Sequence, residues 1–291
     1  GYHGSHEAVS VSVSPGENSI DPAGTTAIPE YANQPEGILN DVVVMPYNNL
    51  EDSERLIRTH SSELACVIME PVSSNLGYLP AKLEFLQGIR DVTNELGILL
   101  IFDEVQSFRV APGGAQELFN VVPDLTAMGK IIGGGTPVGA FGGRRDVMDL
   151  FNPTDGGPDL AHSGTFNANP LTAVAGEITM QNLTPEVYDR LDNLGDILRE
   201  KLRAIFAEFE IPAQVTGVAS LFGVHFTTNE ITDYRSSLNQ DSQLTKGMFT
   251  GMLNEGVLMM GSMSGALNTL TTEADVDTMV GTARNVIQRL R

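Results

Sequence analysis

The sequence predicts an α/β fold with a mostly parallel sheet. Three apolar runs, DVVVMPYN from Asp41, LACVIMEPV from Leu64 and ILLIFDEV from Ile98, alternate with two stretches of helical character. Runs that are apolar on both faces are typical of strands covered by helices on both sides, and connections between such strands are right-handed. The spacing is that of a βαβαβ unit that begins near Val42.

The regions around this unit are predicted from composition and periodicity. Residues 10–36 are rich in Ser, Pro, Gly and Asn, which predicts a long loop. The helix predicted from Leu83 to Leu96 carries its apolar residues at helical spacing and ends at Gly97, a residue that readily forms a C-cap.

The chain changes character after Pro170. Two further helices are predicted, in LTAVAGEITMQNL and in TPEVYDRLDNLGDILREKLRAIFAEF, and the run ASLFGVHF that follows them resembles a strand. We therefore expect a larger domain over residues 1–183 and a smaller C-terminal α+β domain over residues 184–291.

Composition argues against several classes of function. The chain has 37 acidic and 17 basic residues, and the resulting formal net charge of -20 repels nucleic acids and anionic membrane surfaces. No run approaches the length of a membrane span, and the first residues lack the features of a signal peptide. Cys66 is the single cysteine and cannot form an internal disulfide. We expect a cytoplasmic protein that binds neither nucleic acid nor membranes.

A carboxylate and a lysine end two of the apolar runs. Asp103 follows ILLIF, and Lys130 follows LTAMG. A carbonyl cofactor that a lysine holds as a Schiff base acts as an electron sink when a carboxylate keeps its pyridine nitrogen protonated. Charged residues also end buried strands in parallel-sheet proteins without such chemistry. The pair alone leaves both interpretations open.

The segment Met128–Met148, MGKIIGGGTPVGAFGGRRDVM, is dense in glycine and also carries apolar residues. Glycine allows the backbone to approach a ligand closely, so we favour an ordered loop beside a ligand over a flexible one. The segment does not match a nucleotide P-loop. No metal-ligand spacing and no hydrolase motif GxSxG after a strand are found in the sequence.

Together, FDEVQSFR, the glycine-dense segment and HSGTFNANPLTAVAG resemble the class III aminotransferases, which have the fold of type I pyridoxal-phosphate (PLP) dependent transferases. EPVSSNLG, from Glu70 to Gly77, and PVGAFGGRRDVM are most similar to the branch with glutamate-1-semialdehyde aminomutase and β-amino-acid transaminases. The resemblance extends over nearly the whole chain. It implies PLP as cofactor, a small-molecule amino donor and acceptor, and a homodimer with shared active sites.

The resemblance also implies roles for individual residues. Lys130 would bind PLP as a Schiff base, and Asp103 would pair with the pyridine nitrogen. Val105 would pack under the ring. Tyr2 would stack on the other face of the ring with His3 close by, although both residues could equally form an ordinary turn.

Four more residues would surround the rest of the cofactor. Gln106 and Asn75 would lie near the phenolic oxygen, and Glu70 would orient that polar neighbourhood. Thr165 would donate to the phosphate of the neighbouring subunit's cofactor. Glu70 and Asn75 could instead be capping residues after a strand, and Thr165 could cap the helix near Pro170.

Three departures from the family pattern leave alternatives open. The loop that cradles the cofactor phosphate would precede Gly1, so we expect that an N-terminal segment is missing from the sequence. FDEVQSFR is one residue shorter than the form usual in the aminomutase branch, and Gly261–Asp277 carries no arginine for a substrate carboxylate. We expect an aminotransferase; the alternatives are an aminomutase, which moves an amino group within one molecule, and a non-catalytic fragment.

Overall fold

A four-stranded sheet forms the centre of the N-terminal part of the chain. The computed structural model describes residues 1–12, 27–154 and 156–290. The strands of this part, in chain order, are β1 Cys66–Met69, β2 Val72–Ser73, β3 Leu79–Pro80, β4 Leu99–Asp103, β5 Leu125–Gly129 and β6 Gly139–Gly143. The main sheet has the order β1-β4-β5-β6, with β6 antiparallel to β5 and the other pairs parallel, while β2 and β3 form a small antiparallel pair. The predicted α/β fold with a mostly parallel sheet is confirmed.

Five helices accompany these strands: α1 Glu36–Asn40, α2 Leu50–Thr59, α3 Leu83–Leu96, α4 Ala115–Leu118 and α5 Arg145–Met148. Helix α3 has the predicted bounds, and Gly97 ends it with a φ of 69°, the left-handed conformation that glycine tolerates best. Its buried face packs with β4, and the core there is formed by Phe85, Leu86, Ile89, Leu100 and Phe102. Most of the loop predicted over residues 10–36 lies outside the described residues.

The strand predicted near Val42 is wrong. Residues 42–45 form no strand, and they line a cavity of about 660 Å³ whose lining also includes all four residues of β1. An apolar run becomes a strand only where a neighbouring strand takes its backbone hydrogen bonds. In the described part of the chain, residues 42–45 pair with no strand, although β1 lies at the sheet edge beside the same cavity.

The C-terminal part has its own sheet and helices. Its elements are α6 Pro170–Asn182, α7 Pro185–Glu208, β7 Gln214–Thr216, β8 Leu221–His225, α8 Tyr234–Leu238, α9 Ser242–Asn254, β9 Ser264–Ala266 and α10 Glu273–Leu290. The antiparallel sheet has the order β7-β8-β9. The strand predicted in ASLFGVHF and the two helices predicted after Pro170 are confirmed.

The domain boundary predicted at Thr184 stays a prediction. Thr184 lies directly between α6 and α7. The largest apolar cluster contains residues from α7 onwards, and a second cluster contains residues between Met45 and Val121. A smaller cluster that includes Val72 and Leu221 joins residues from both sides of the boundary. In the described residues, no helix combines the length and the apolar character needed to cross a lipid bilayer.

His225 predicts how the stability of the fold depends on pH. Its side chain is buried at the end of β8, and burial lowers its pKa below the ordinary value of 6.5. The unfolded chain therefore takes up this proton at a higher pH than the folded chain, so stability falls as the pH drops below 6.5 towards the lowered pKa.

We expect His225→Gln to flatten this decline, and His162→Gln, at an exposed histidine, to leave it unchanged. The free energy of unfolding, measured by urea titration at several pH values, checks both expectations. Identical pH dependences for the native chain and His225→Gln would contradict this account.

Candidate active site

The structure brings Asp103 and Lys130 to the same edge of the sheet. Asp103 is the last residue of β4, and Lys130 follows directly after the last residue of β5. These strands are parallel neighbours, with Asp103 opposite Ala127 in the register. The carboxyl ends of parallel strands form the edge at which α/β proteins bind ligands.

Lys130 has an unusual backbone conformation. Its φ is 50°, in the left-handed region, and it begins a 3₁₀ turn over Lys130–Gly133 with its side chain exposed. For a residue other than glycine, such a conformation costs about 1 kcal/mol or more and is found disproportionately at functional sites. The left-handed backbone at Lys130 thus stands where β5 ends and the turn begins.

The lysine turn rests directly on the backbone of α6. A Cβ atom added at Gly176, in α6, would lie 2.2 Å from the carbonyl oxygen of Ile132. A Cβ atom added at Gly134, where φ is 60°, would lie 2.2 Å from the carbonyl oxygen of Ala175. Only glycine allows the turn and the helix to approach this closely.

This contact predicts a large effect of one methyl group. We expect Gly176→Ala to lower the free energy of unfolding by about 1–3 kcal/mol, because a backbone carbonyl cannot rotate away as a side chain can. Gly281→Ala in α10 is the matched control: nothing lies within 4 Å of its new Cβ, and alanine favours helix. Chemical denaturation measures both, and equal stabilities for the two variants would contradict the packing described here.

Asp103 is held by two partners. It is 7% exposed, and one carboxylate oxygen, Oδ1, accepts the backbone N–H of Val105 at 3.0 Å. The other oxygen, Oδ2, lies 2.8 Å from Nδ1 of His3. The two contacts fix the plane of the carboxylate, and His3 contacts its Oδ2.

Glu70 joins two segments that carry other candidate residues. It is 4% exposed and follows β1 directly. Its Oε1 accepts the backbone N–H of Tyr2 at 2.9 Å, and its Oε2 accepts the backbone N–H of Ser74 at 3.0 Å. Ser74 precedes Asn75 in a 3₁₀ turn, so one carboxylate holds the segment of Tyr2 and His3 beside the turn that carries Asn75.

Val105 and Gln106 lie in the loop after β4. The side chain of Val105 would be 3.4 Å from a Cβ atom at Gly129, the residue before Lys130. Gln106 is half-buried, Asn75 is exposed, and the described residues offer neither side chain a hydrogen bond. The side chain of Tyr2 is 48% exposed. Val105 thus lies beside Gly129, the residue directly before the lysine turn.

Thr165 stands apart from the other candidates. It is exposed, in the segment before α6, and has no hydrogen bond to any of them in the described part of the chain. The alternative that it caps α6 is wrong, because the side chain of Asn169 caps that helix by accepting the N–H of Leu171.

Glu104 and Arg109 also shape the loop after β4, and sequence reasoning missed both. The Glu104 carboxylate is fully buried and accepts hydrogen bonds from Ser107, Gln116 and the backbone N–H of Ala115. Burial raises the pKa of this carboxyl. The only signal in the sequence was that both residues belong to FDEVQSFR, a motif already noted for other members.

Arg109 ties that loop to the C-terminal part of the chain. Its guanidinium donates to Oγ of Ser220 at 3.2 Å and to the carbonyl oxygen of Leu267. Burial lowers the pKa of Arg109. The loop that carries Val105 and Gln106 is therefore anchored at both ends, by Glu104 and by Arg109.

The chain is similar to known transaminases and aminomutases. A family model described as "Aminotransferase class-III" matches residues 1–278. A glutamate-1-semialdehyde 2,1-aminomutase from Staphylococcus epidermidis is 36% identical over 292 residues, which cover 99% of this chain and 66% of that protein. This chain thus spans 66% of the length of the curated relative.

Two solved structures support the same relationship. An omega-transaminase from Sphaerobacter thermophilus is 42% identical, with a TM-score of 0.93 over 99% of this chain and 66% of that one. A β-phenylalanine aminotransferase from Variovorax paradoxus is 38% identical, with a TM-score of 0.81 over 84% of this chain and 57% of that one. The expected type I fold of PLP-dependent transferases is confirmed. The chain belongs to the class III aminotransferase family.

Proposed function

We propose that this chain forms the catalytic part of a PLP-dependent aminotransferase, which moves an amino group between an amino acid and a keto acid or aldehyde. One observation carries the proposal: a buried carboxylate, Asp103, and an exposed lysine, Lys130, end adjacent parallel strands at one sheet edge. The substrates of the whole protein are part of the proposal, because the chain spans 66% of its curated relative.

The side chains at this edge fit the chemistry of PLP. A buried carboxylate oriented by a backbone N–H and by His3 is suited to pair with a protonated pyridine nitrogen. Val105 offers an apolar surface beside Gly129, where a ring can pack. PLP, when bound, supplies an electron sink that stabilises a carbanion.

Lys130, Asp103 and Glu70 would each have a separate role in the reaction. The amine of Lys130 would hold the cofactor and, once released, would lie in place to remove the proton from the substrate carbon that bears the amino group. The negative charge of Asp103 favours the protonated pyridine nitrogen, and the contact with His3 prevents the carboxylate from rotating out of line. Glu70 would keep the Tyr2 segment against the turn that carries Asn75.

A homodimer with shared active sites is part of the same proposal. The exposed face of α6 and the segment before it present an apolar surface formed by Phe166 (81% exposed), Leu171 (78%), Val174 (54%) and Ile178 (55%). Apolar patches of this kind mark interaction sites on proteins. A partner on this surface would cover α6 from the side opposite the lysine turn and would approach Thr165. We also propose a cytoplasmic location, as expected from the lone cysteine.

The proposal is tested by absorption spectroscopy with added PLP, before and after borohydride reduction, followed by peptide mapping. We expect a visible band that reduction abolishes and a modification confined to Lys130, one of the few lysines of the chain. A Lys201→Gln variant, at an exposed lysine paired with Asp277, should give the same result. Modification scattered over surface lysines would reject the proposal and support the non-catalytic alternative.

The aminomutase alternative is favoured by the 36% identity to glutamate-1-semialdehyde 2,1-aminomutase. Incubation with one amino donor and no acceptor distinguishes the two. An aminotransferase stops after one half-reaction, with one equivalent of donor consumed per site. An aminomutase continues to turn over until its substrate is exhausted.

A further inference from the structure

A second cavity, of about 470 Å³, lies beside the turn that carries Asn75. Asn75 and Gly77 form part of its wall, and helix α9 contributes its first two turns. The loop before β9 contributes Gly261 and Ser262. Asn75 also lines the first cavity, together with His3 and Glu70, so the second cavity borders the neighbourhood of the proposed cofactor site.

The charged residues that line this cavity differ in sign from the excess charge of the whole chain. The whole chain has 37 acidic and 17 basic residues, yet no Asp or Glu is among the described residues that line the cavity, whereas Lys246 is. Hydroxyl groups of Ser242, Thr245 and Ser262 accompany the lysine. The Thr245 hydroxyl already donates to the carbonyl oxygen of Asp241, and the Ser262 hydroxyl bonds with Oγ of Ser264. The cavity therefore offers a ligand one cation and the polar side chains of Ser242 and Asn75, and this arrangement favours an anion.

Lys246 has no hydrogen bond or ion pair with any described residue. By contrast, the exposed Lys201 pairs with Asp277. Asp241 is near in sequence, but its carboxylate is engaged as the N-cap of α9 and accepts the N–H of Leu244 at 2.8 Å. The histidine in the wall, His225, lies 3.2 Å from Oγ1 of Thr216, so a ring nitrogen is already engaged there. Lys246 is thus the cation left to meet a ligand in this cavity.

We propose that this cavity binds the carboxylate of the amino-acid substrate, with Lys246 as its counter-charge. The inference rests on the proposed function, because it takes the reacting amino group to lie on the far side of Asn75. It also answers a question left by the sequence: Gly261–Asp277 carries no arginine for a substrate carboxylate. Lys246 on α9 would supply that charge in a cavity that Gly261 and Ser262 also line.

The first experiment measures binding without any reaction. The probe is 3-phenylpropanoate, a carboxylate that lacks an amino group, titrated into the protein by calorimetry at low ionic strength. Lys246 is exposed, so we expect Lys246→Gln to weaken binding by about threefold, as for the loss of an exposed charge pair, and Lys201→Gln to leave it unchanged. No binding to the native protein, or equal binding to Lys246→Gln, would overturn the inference.

Inorganic phosphate separates a carboxylate site from a general anion site. We expect phosphate at the same concentration to leave the bound 3-phenylpropanoate in place. Displacement of the probe by phosphate would overturn the assignment to a substrate carboxylate. Both titrations give their answer whether or not the protein binds PLP, so failure here is distinct from failure of the proposed function.

A matched pair of amine donors provides a kinetic readout. β-Phenylalanine and 1-phenylethylamine share the reacting amine and the ring, and only the first has a carboxylate. We expect Lys246→Gln to raise KM for β-phenylalanine by about threefold while KM for 1-phenylethylamine and kcat for both stay unchanged. An equal change in KM for the two donors would overturn the role of Lys246.

Discussion

Replacing Lys130 with alanine should reduce amino transfer by about 10²–10⁴-fold or more, because in the proposed function the same amine would hold the cofactor and move the proton. Residual turnover should rise when a small primary amine such as methylamine is added, since the amine can take over the proton transfer. Steady-state kinetics with a saturating donor and acceptor measure the effect.

The structure offers a suitable control for this variant. Lys201 is exposed, lies in α7 and pairs with Asp277, remote in sequence from the strand edge. Lys201→Ala should retain full activity. If Lys130→Ala were as active as Lys201→Ala, then the lysine turn would have no part in the chemistry, and its left-handed backbone would need another explanation.

Replacing Asp103 with asparagine should leave cofactor binding largely intact and lower kcat by about 10²–10³-fold. The amide has the shape of the carboxylate but not its charge, so it no longer favours a protonated pyridine nitrogen. The asparagine side chain would lie beside the same two neighbours as the carboxylate. These are Nδ1 of His3, 2.8 Å from the native Oδ2, and the backbone N–H of Val105, 3.0 Å from the native Oδ1. Cofactor occupancy measured by absorbance separates lost binding from lost turnover.

Asp146→Asn is the matched control for this charge removal. Asp146 is exposed and pairs with Arg144, and the same chemical change there should not alter kcat. A second variant, His3→Phe, removes the side chain against Asp103 and keeps the carboxylate. It should lower kcat less than Asp103→Asn does. If Asp103→Asn turned over as fast as Asp146→Asn, the electrostatic role of Asp103 would be rejected.

Much of the fold follows from patterns that are local in sequence. Helix α3 and its end at Gly97 follow from apolar periodicity and a single glycine, and β4 and β8 follow from short apolar runs. The run at Val42 is also apolar, yet no strand pairs with it among the residues that the structure describes. Composition predicts that a segment can pair, but whether it does depends on residues distant in the chain.

The same distinction between local patterns and distant contacts applies to the candidate site. Asp103 and Lys130 could be selected from the sequence because each ends an apolar run, and the strand register then brings them to one edge. The contact between His3 and Asp103 joins residues 100 positions apart, and no local pattern predicts it. Glu104 was missed because its partners include backbone N–H groups, which look the same in every sequence.

The position of β1 at the edge of the described sheet also leads to an expectation about how copies of this chain associate. Among the residues that the structure describes, no strand pairs with the outer edge of β1, where Ile68 is 36% exposed. Such an edge is a template for an extended segment of another molecule. We therefore expect crowding or partial unfolding to cause aggregation that begins at Cys66–Met69, while the sheet interior between β4 and β5 remains protected.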